Sequence, residues 1–174
     1  MKYGIVIFPS KDLQDYANSL RKRYDSKYAL IVPHLTLKQS FESTDKEIQE
    51  ISSILRNVAA SHRPFQMEVT KVSSFQPVNN VIYLKVHPSE ELCSLHEDIN
   101  DQLPMAAPEY QFVPHITIGQ DLSNDEHSDV FGQLRMTNVQ RSEQVDRFHL
   151  LYQLDNEAWT VHETFRLDKG ASNE

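Results

Sequence analysis

An eight-residue segment occurs twice in the chain, as VPHLTLKQ at positions 32–39 and as VPHITIGQ at positions 113–120. Five of the eight aligned residues are identical, two are exchanges of leucine for isoleucine, and only Lys38 against Gly119 differs in kind. We call these segments the first and the second repeat. Since the chain around each of them has a similar pattern, the duplication predicts two related lobes that each contribute one copy to a shared site.

Both repeats have the alternating pattern of a half-buried β-strand. Successive side chains of a strand point to opposite faces, so His34 and Thr36 share one face and Leu35 and Leu37 share the other. The second repeat has the same arrangement, with His115 and Thr117 on one face. We therefore expect the aliphatic faces to be buried and the imidazole and hydroxyl groups to face a central cleft.

The composition is that of an ordinary globular domain. The chain has 174 residues, of which 39% are hydrophobic and 24% charged, so we expect one two-lobed domain over residues 1–170 and a frayed tail over 171–174. The first residues lead directly into a predicted strand rather than a secretory leader, and no apolar run reaches the roughly 20 residues of a membrane helix. Cys93 is the single cysteine and cannot form an internal disulfide, which favours the cytoplasm.

The charge balance limits the partners. The formal net charge is −8 and the pI is about 5.4, whereas a protein that binds duplex DNA along its length needs a basic face. Duplex DNA is therefore disfavoured as a partner, and the lack of a membrane-length apolar run disfavours a membrane. A small phosphorylated substrate or a short RNA end is compatible with this charge, because a locally positive cleft is enough to hold it.

The spacing of apolar residues predicts alternating strands and helices. Strands are expected at about 3–8, 31–39, 65–75, 81–86, 112–118, 144–155 and 159–167. Helices are expected at about 12–23, from 44 or 45 to Pro64, and from 88 or 89 through 99, with a polar loop at 119–129 before a short helix near 130–134. This order predicts an α+β fold that is bilobal, with two mainly antiparallel sheets, helices on the outer faces, a pseudo-twofold axis and a central cleft.

Two imidazoles on either side of a phosphorus atom suit the cleavage of a phosphodiester. Near neutral pH one histidine can deprotonate a water molecule while the other protonates the leaving oxygen. We assign these catalytic roles to His34 and His115, and phosphate binding to the hydroxyls of Thr36 and Thr117, which can donate hydrogen bonds to the non-bridging oxygens. Neither role requires a metal or another cofactor, and two histidines without a third ligand are a poor zinc site.

Strand alternation predicts that four further side chains lie at the cleft. Lys38 follows His34 and Thr36 on the same predicted face, and Tyr83 and Lys85 alternate with buried aliphatic positions in the strand at 81–86. His149 likewise alternates with apolar residues in the predicted strand at 144–155. Cations benefit a phosphate site, although an ordinary solvated strand face is the alternative for each of these residues.

The paired His-X-Thr-X motifs, His34 to Leu37 and His115 to Ile118, resemble the signature of the two-histidine phosphoesterase superfamily. The resemblance covers nearly the whole chain and is closest to its bacterial YjcG-like branch. It implies a cleft between two antiparallel sheets. It further implies hydrolysis of a cyclic phosphodiester or chemistry on RNA 2′,5′ linkages, without a metal, with His34 as the acid and His115 as the base.

One departure from the family pattern narrows the range of candidate substrates. Many RNA-processing relatives carry a basic residue just after the second motif, where this chain has Gly119 and Gln120. Together with the acidic pI, this favours a small cyclic phosphate, such as a 2′,3′-cyclic nucleotide. The alternatives are a ligase that joins or processes RNA ends through a 2′,5′ bond, and a non-catalytic module that binds nucleotides or RNA.

Overall fold

The computed structural model describes residues 1–168, so the tail predicted at 171–174 lies outside the described residues. Four helices and eight strands alternate along this part of the chain. In chain order they are β1 (Lys2–Ile7), α1 (Lys11–Tyr24), β2 (Leu35–Glu42), α2 (Asp45–Ala60), β3 (Phe65–Ser74), β4 (Ile82–Val86), α3 (Glu90–Gln102), β5 (His115–Gly119), α4 (Asn124–Leu134), β6 (Arg141–Val145), β7 (Arg147–Gln153) and β8 (Trp159–Arg166). The predicted α+β class is confirmed.

The strands form one continuous sheet rather than the two sheets that the sequence predicted. Its order is β6-β3-β4-β5-β2-β1-β7-β8, and every neighbouring pair is antiparallel. The two motif strands are neighbours at the centre, where they are joined by the pair of Leu35 with Ile116. The two expected sheets are therefore the two four-stranded halves of one sheet, and the repeats lie side by side at its middle.

The predicted strand at 144–155 is two strands that belong to opposite halves of the sheet. Asp146 is the single residue between β6, which pairs with β3, and β7, which pairs with β1. Its carbonyl accepts a hydrogen bond of 2.9 Å from the amide of Leu167, just after β8. Since one residue spans only a few Å, the two halves must approach each other here, and the sheet is curled.

Each of the helices α1 and α3 packs on the motif strand of the other half. The chain runs β1-α1-β2, yet α1 packs against β5, and it runs β4-α3-β5, yet α3 packs against β2. Between helices and sheet lie the aliphatic residues of the repeats, all of which are at most 1% exposed: Leu35, Leu37, Ile116 and Ile118. The buried aliphatic face predicted from the repeats is confirmed, and the opposite face of the sheet is left for His34 and His115.

Side-chain caps fix where the helices begin. Ser10, Thr44, Ser89 and Ser123 each accept a hydrogen bond from the backbone amide three residues later, as N-caps do. At α4, Glu126 also reaches back to the amide of Ser123, which completes a capping box. This helix therefore begins at Asn124, within the segment 119–129 that was predicted as a loop. Across residues 1–168, none of the helices is both long and apolar enough to cross a membrane.

Candidate active site

The first seven residues of the two repeats have the same pattern of exposure. In each copy the valine is exposed, the proline buried, the histidine half-buried, the next aliphatic residue buried and the threonine half-buried. His34 directly precedes β2 and His115 is the first residue of β5, so both strands begin later than predicted. Proline has no N–H to donate to a strand ladder, and Pro33 and Pro114 precede the histidines. The imidazoles therefore lie where the central strands begin.

A backbone carbonyl fixes the tautomer of each histidine in the same way. The Nδ1 atom of His34 lies 2.8 Å from the carbonyl oxygen of Val32, and Nδ1 of His115 lies 2.7 Å from that of Val113. Because a carbonyl oxygen only accepts hydrogen bonds, both Nδ1 atoms carry a proton and donate it. Within residues 1–168, neither Nε2 atom has a hydrogen-bond partner. Both Nε2 atoms are therefore available to a ligand.

Burial favours the neutral form of both rings. It lowers the pKa of His34, with smaller contributions in the same direction from Arg21 and from His115, while the hydrogen bond to Val32 and the charge of Asp25 act against it. Burial also lowers the pKa of His115, against the hydrogen bond to Val113. A neutral imidazole with its proton on Nδ1 presents a basic Nε2. Leu35 and Ile116, which directly follow the two histidines, pair across β2 and β5, so His34 and His115 lie on neighbouring strands.

Aromatic rings surround His115. The edges of Tyr83 and Phe75 meet its imidazole, with ring centroids 5.2 Å and 5.0 Å away. Tyr83 also pairs with Thr117 across β4 and β5, and Lys85 pairs with His115. The predicted Tyr83 and Lys85 thus lie beside the second motif, although Tyr83 is only 5% exposed. Phe75 was not predicted, because nothing but an apolar strand end distinguishes it in the sequence.

A cavity of about 270 Å³ lies beside the first motif. It is bordered by β1, β2, β7 and β8 and by the chain between α1 and β2, and its lining includes His34, Thr36 and the half-buried Trp159. His115 and Thr117 do not line it. Trp159 was not predicted as a site residue, although it is the single tryptophan of the chain.

Lys38, which was predicted to support the phosphate site, is hydrogen-bonded on the helix side of the sheet instead. A β-bulge places Lys38 opposite Ile5 and Thr36 opposite Val6, so the simple alternation ends before Lys38. This residue borders the cavity, but its ammonium donates hydrogen bonds to Asn100 Oδ1 at 3.1 Å and to the Ala106 carbonyl at 3.3 Å. The lysine therefore ties β2 to α3 and to the loop that follows it.

His149 lies beside a second cavity, which does not include His34. Its ring packs on Phe8 at a centroid distance of 4.6 Å, and its Nδ1 lies 2.9 Å from Thr164 Oγ1. Burial, together with the charge of Arg147, lowers the pKa of His149 to about 4. An imidazole that stays neutral at physiological pH supplies no positive charge to a phosphate.

A buried polar network supports the site from behind. Arg21 Nε forms an ion pair with Asp25 Oδ2 at 3.0 Å, and Arg21 also donates to the carbonyl of Ile31 at 2.7 Å. The second carboxylate oxygen of Asp25 accepts a hydrogen bond of 2.8 Å from Gln120. The network joins the chain just before the first motif to Gln120, the last residue of the second repeat. Gln120 stands out in the sequence only because glutamine ends both repeats.

The side chains of the site suit acid–base chemistry better than metal binding. In the described part of the chain, no group of three or more His, Cys, Asp or Glu side chains is placed to hold a metal ion. The two motifs supply two available imidazole nitrogens and two hydroxyl oxygens. That set suits proton transfer and hydrogen bonding to a phosphate.

Comparison with known families identifies the chain. Residues 9–157 match the family model described as the 2′-5′ RNA ligase superfamily. The chain belongs to this superfamily. The resemblance that the paired motifs indicated is confirmed.

Relatives of high identity cover almost the whole chain. A protein of Geobacillus sp. strain WCH70, named as a candidate phosphoesterase, is 61% identical over 165 residues, which is 95% of each chain. One of Bacillus licheniformis with the same kind of name is 58% identical over 167 residues, or 96% of this chain and 99% of the other. The matches therefore extend well beyond the two motifs.

Solved structures share the fold at low identity. Escherichia coli LigT complexed with 3′-AMP has a TM-score of 0.72 and 16% identity, with 97% of this chain and 98% of that chain covered. TT0787 of Thermus thermophilus has a TM-score of 0.72 and 17% identity, with 96% and 98% covered. At this level of identity the likeness supports the fold alone.

Proposed function

We propose that the protein is a phosphoesterase that hydrolyses a cyclic phosphodiester by acid–base catalysis with His34 and His115. The observation that carries this proposal is the equivalent orientation of the two imidazoles, each with Nδ1–H bound to the carbonyl of the valine two residues before it. This contact fixes the tautomer and leaves both Nε2 atoms available for proton transfer. The names of the close relatives point to the same reaction class.

In the proposed reaction, the neutral His115 takes a proton from a water molecule, whose oxygen forms a bond to phosphorus. The bond between phosphorus and one ring oxygen of the cyclic ester breaks, and the protonated His34 gives its Nε2 proton to that oxygen. The hydroxyls of Thr36 and Thr117 donate hydrogen bonds to the non-bridging oxygens. The product is a phosphomonoester, and exchange with solvent restores the two protonation states.

A small substrate suits the contacts around the motifs. Lys38 and Gln120, which could have met a longer polyanion, are bound to Asn100 and Asp25 instead. The formal net charge of −8 also disfavours a long nucleic acid. E. coli LigT, which has the same fold, has been crystallised with 3′-AMP and with NADP⁺. We therefore place 2′,3′-cyclic nucleotides and related small cyclic phosphates first among the candidate substrates.

Alanine variants of the two histidines test this function. The purified protein is incubated with a panel of cyclic phosphates, and the position of the product phosphate is read by NMR. His34→Ala and His115→Ala should each lower the rate by about 10²–10⁴, whereas His87→Ala, at an exposed position, should leave the rate unchanged. Full activity in both active-site variants would contradict the mechanism.

Formation of 2′,5′ bonds in RNA is the second candidate, and the description of the matching family favours it. In that reaction the base takes the proton of an RNA 5′-hydroxyl in place of water, the 5′-oxygen bonds to the phosphorus of a 2′,3′-cyclic end, and the bond to the 3′-oxygen breaks as the acid protonates it. An end-joining assay on tRNA halves separates this activity from hydrolysis. Tight calorimetric binding of nucleotides with no turnover in either assay would instead indicate a binding module.

A further inference from the structure

A loop leads from a helix to each histidine of the site. Residues 25–33, which we call the first entry loop, run from the end of α1 to His34, and residues 103–114, the second entry loop, run from the end of α3 to His115. Each loop also supplies the carbonyl oxygen, two residues before the histidine, that accepts its Nδ1–H bond. The position of each entry loop therefore sets the orientation of one imidazole.

The end of the second repeat holds the first entry loop. The side-chain amide of Gln120 donates a hydrogen bond to Asp25 at 2.8 Å. Asp25 forms the buried ion pair with Arg21, whose guanidinium donates to the carbonyl of Ile31 at 2.7 Å. Ile31 directly precedes the valine whose carbonyl binds His34. Hydrogen bonds and ion pairs thus connect the second repeat with the histidine of the first.

The end of the first repeat holds the second entry loop through a lysine. The ammonium of Lys38 donates to Asn100 Oδ1 at 3.1 Å and to the carbonyl of Ala106, within the loop, at 3.3 Å. The side-chain nitrogen of Asn100 donates to the carbonyls of Leu37 at 3.2 Å and His96 at 2.7 Å. The first repeat is therefore bonded both to α3 and to the loop that follows this helix.

A ring stack continues this connection to His115. Phe112 lies one residue before Val113, whose carbonyl binds His115, and its ring stacks on the imidazole of His96 with centroids 3.8 Å apart and planes at 7°. Burial and the charge of Lys38 lower the pKa of His96, which favours the neutral ring in this stack. The second entry loop is thus held in its middle by the lysine and at its end by the stack on α3.

The position that differs in kind between the repeats reflects how each repeat meets its helix. Lys38 and Gly119 occupy equivalent places, and both are buried. A Cβ atom on Gly119 would lie 3.4 Å from Cβ of Tyr24 and 3.5 Å from its carbonyl oxygen, so even the first atom of a side chain would touch the end of α1. The second repeat therefore contacts its helix directly, whereas Lys38 and Asn100 connect the first repeat to α3.

We propose that each repeat positions the histidine of the other, with Lys38 as the positioning residue for His115 and Gln120 as that for His34. The inference rests on the proposed phosphoesterase function and adds two residues that act through the entry loops. If the bond from Nδ1–H to the loop carbonyl is lost, the neutral imidazole can carry its proton on Nε2, which removes the basic nitrogen from the reaction. Misplacement of a catalytic group by about 1 Å can cost about 10²-fold in rate.

The tautomers of the two histidines can be measured without turnover. The ¹⁵N signals of neutral imidazoles distinguish Nδ1–H from Nε2–H, and spectra of His34→Ala and His115→Ala assign these two among the eight histidines of the chain. Lys38→Met, which keeps an unbranched side chain and removes the donors, should shift the His115 signals towards the Nε2–H form and leave those of His34 unchanged. Gln120→Met should change His34 and leave His115 unchanged. The proposal is wrong if Lys38→Met changes His34 alone, both histidines equally or neither.

Kinetics provide the second readout. Lys38→Met and Gln120→Met should each lower kcat for 2′,3′-cyclic AMP about 10–100-fold with little change in KM, because the groups that meet the substrate are still present. Lys38→Arg keeps donors at this position and should retain more of the rate. Lys46→Met, at an exposed position of α2, removes a lysine and should change neither the rate nor the two tautomers. A raised KM in Lys38→Met with an unchanged His115 tautomer would mean that the lysine binds the substrate directly, which would overturn the proposal.

The two readouts separate the positioning from the reaction. If no cyclic phosphate is hydrolysed but each variant changes the histidine of the other repeat, the proposed function fails and the positioning stands. If hydrolysis depends on both histidines but the tautomers stay as in the wild type, the positioning is wrong and the proposed function stands. Thermal unfolding verifies that each variant is folded. Should Lys38→Met not fold, Phe112→Leu removes the ring stack and keeps the lysine; it should shift the His115 signals in the same direction, and unchanged signals would overturn the proposal.

Discussion

Asp25 and Gln120 are joined by a hydrogen bond of 2.8 Å between Oδ1 and Nε2, across 95 residues of sequence. Asp25 caps the end of α1, and Gln120 is the last residue of the second repeat. The backbone of Gln120 also donates to the carbonyl of Tyr24 at 3.0 Å. Helix α1 and the end of β5 are thereby fixed to each other, and the chain that leads to His34 begins at the same point.

Removal of Asp25 should destabilise the fold strongly. The Arg21 and Asp25 side chains are both 2% exposed, so Asp25→Ala would leave a buried guanidinium without its counter-ion. Breaking a buried pair in this way costs about 3–5 kcal/mol. Denaturant unfolding of the variant should show a loss of that size in the free energy of unfolding.

The same helix provides the matched control. Lys11 and Asp15 form an ion pair with the same spacing of four residues, but their side chains are 86% and 63% exposed. Water screens such a pair, and exposed pairs contribute at most about 1 kcal/mol. Asp15→Ala should therefore change stability little, and a similar loss in both variants would mean that burial does not explain the effect of Asp25→Ala.

The lowered pKa values of His34 and His115 predict an acidic optimum. Burial lowers both below the ordinary histidine value of 6.5. The base must be neutral and the acid protonated, so kcat/KM should follow a bell whose alkaline limb falls as the pH rises through the higher of the two pKa values. We expect that limb to lie below about 6.5. An alkaline limb well above neutrality in the pH profile of kcat/KM would contradict this prediction.

The local features of the fold could be predicted from the sequence. Strand alternation identified Leu35 and Leu37 as core residues and placed His34 and Thr36 on the other face, because that pattern depends only on neighbours in the chain. Helix α1 was predicted within a residue or so, since a capping serine and an apolar stripe mark it. The presence of two closely similar motifs predicted that they would meet.

Features that depend on distant contacts could not be predicted. The division of one predicted strand at Asp146 follows from pairing with β3 and β1 in different halves, and no local signal marks it. The β-bulge that redirects Lys38 is a matter of register between β1 and β2. The cavity at Trp159 arises where four strands and a loop meet, so its residues are scattered through the sequence.

The two threonines of the motifs should matter equally if both hold the phosphate. Thr36→Val and Thr117→Val remove a hydroxyl and keep the shape, and each should lower kcat by about 10²-fold, as the loss of one donor to a developing charge does. Serine at either position should restore most of the activity. Thr137→Val, at an exposed turn, is the control. A rate unchanged in both motif variants would exclude the hydroxyls from phosphate binding.

His149 should make the fold less stable in acid. Its pKa is about 4 in the folded protein and about 6.5 when unfolded, so the unfolded state binds the proton first as the pH falls. The stability that the neutral His149 contributes is fully present above about pH 6.5 and is lost as the pH falls towards 4. Because the ring is partly exposed to solvent, we expect the free energy of unfolding to fall by about 1–2 kcal/mol, which is less than the full pKa difference would give.

His149→Gln removes the titrating group and should flatten this part of the pH dependence. The free energy of unfolding is measured by urea titration at about pH 4 and about pH 7, and the difference between the two is compared with that of the wild type. His87→Gln, at an exposed position, should keep the wild-type difference. A pH dependence that is the same in His149→Gln and in the wild type would show that this histidine does not titrate as described.

The leaving group distinguishes the roles of the two histidines. If His34 protonates the leaving oxygen, His34→Ala should lower the rate about 10²–10⁴-fold with a 2′,3′-cyclic nucleotide, whose ribose oxygen leaves as a strong base. With a 4-nitrophenyl phosphodiester the loss should be much smaller, because nitrophenolate leaves without a proton. His115→Ala should be impaired on both substrates, since water must be activated in either case. If His115→Ala is the variant that the nitrophenyl ester rescues, the roles of the two histidines are reversed.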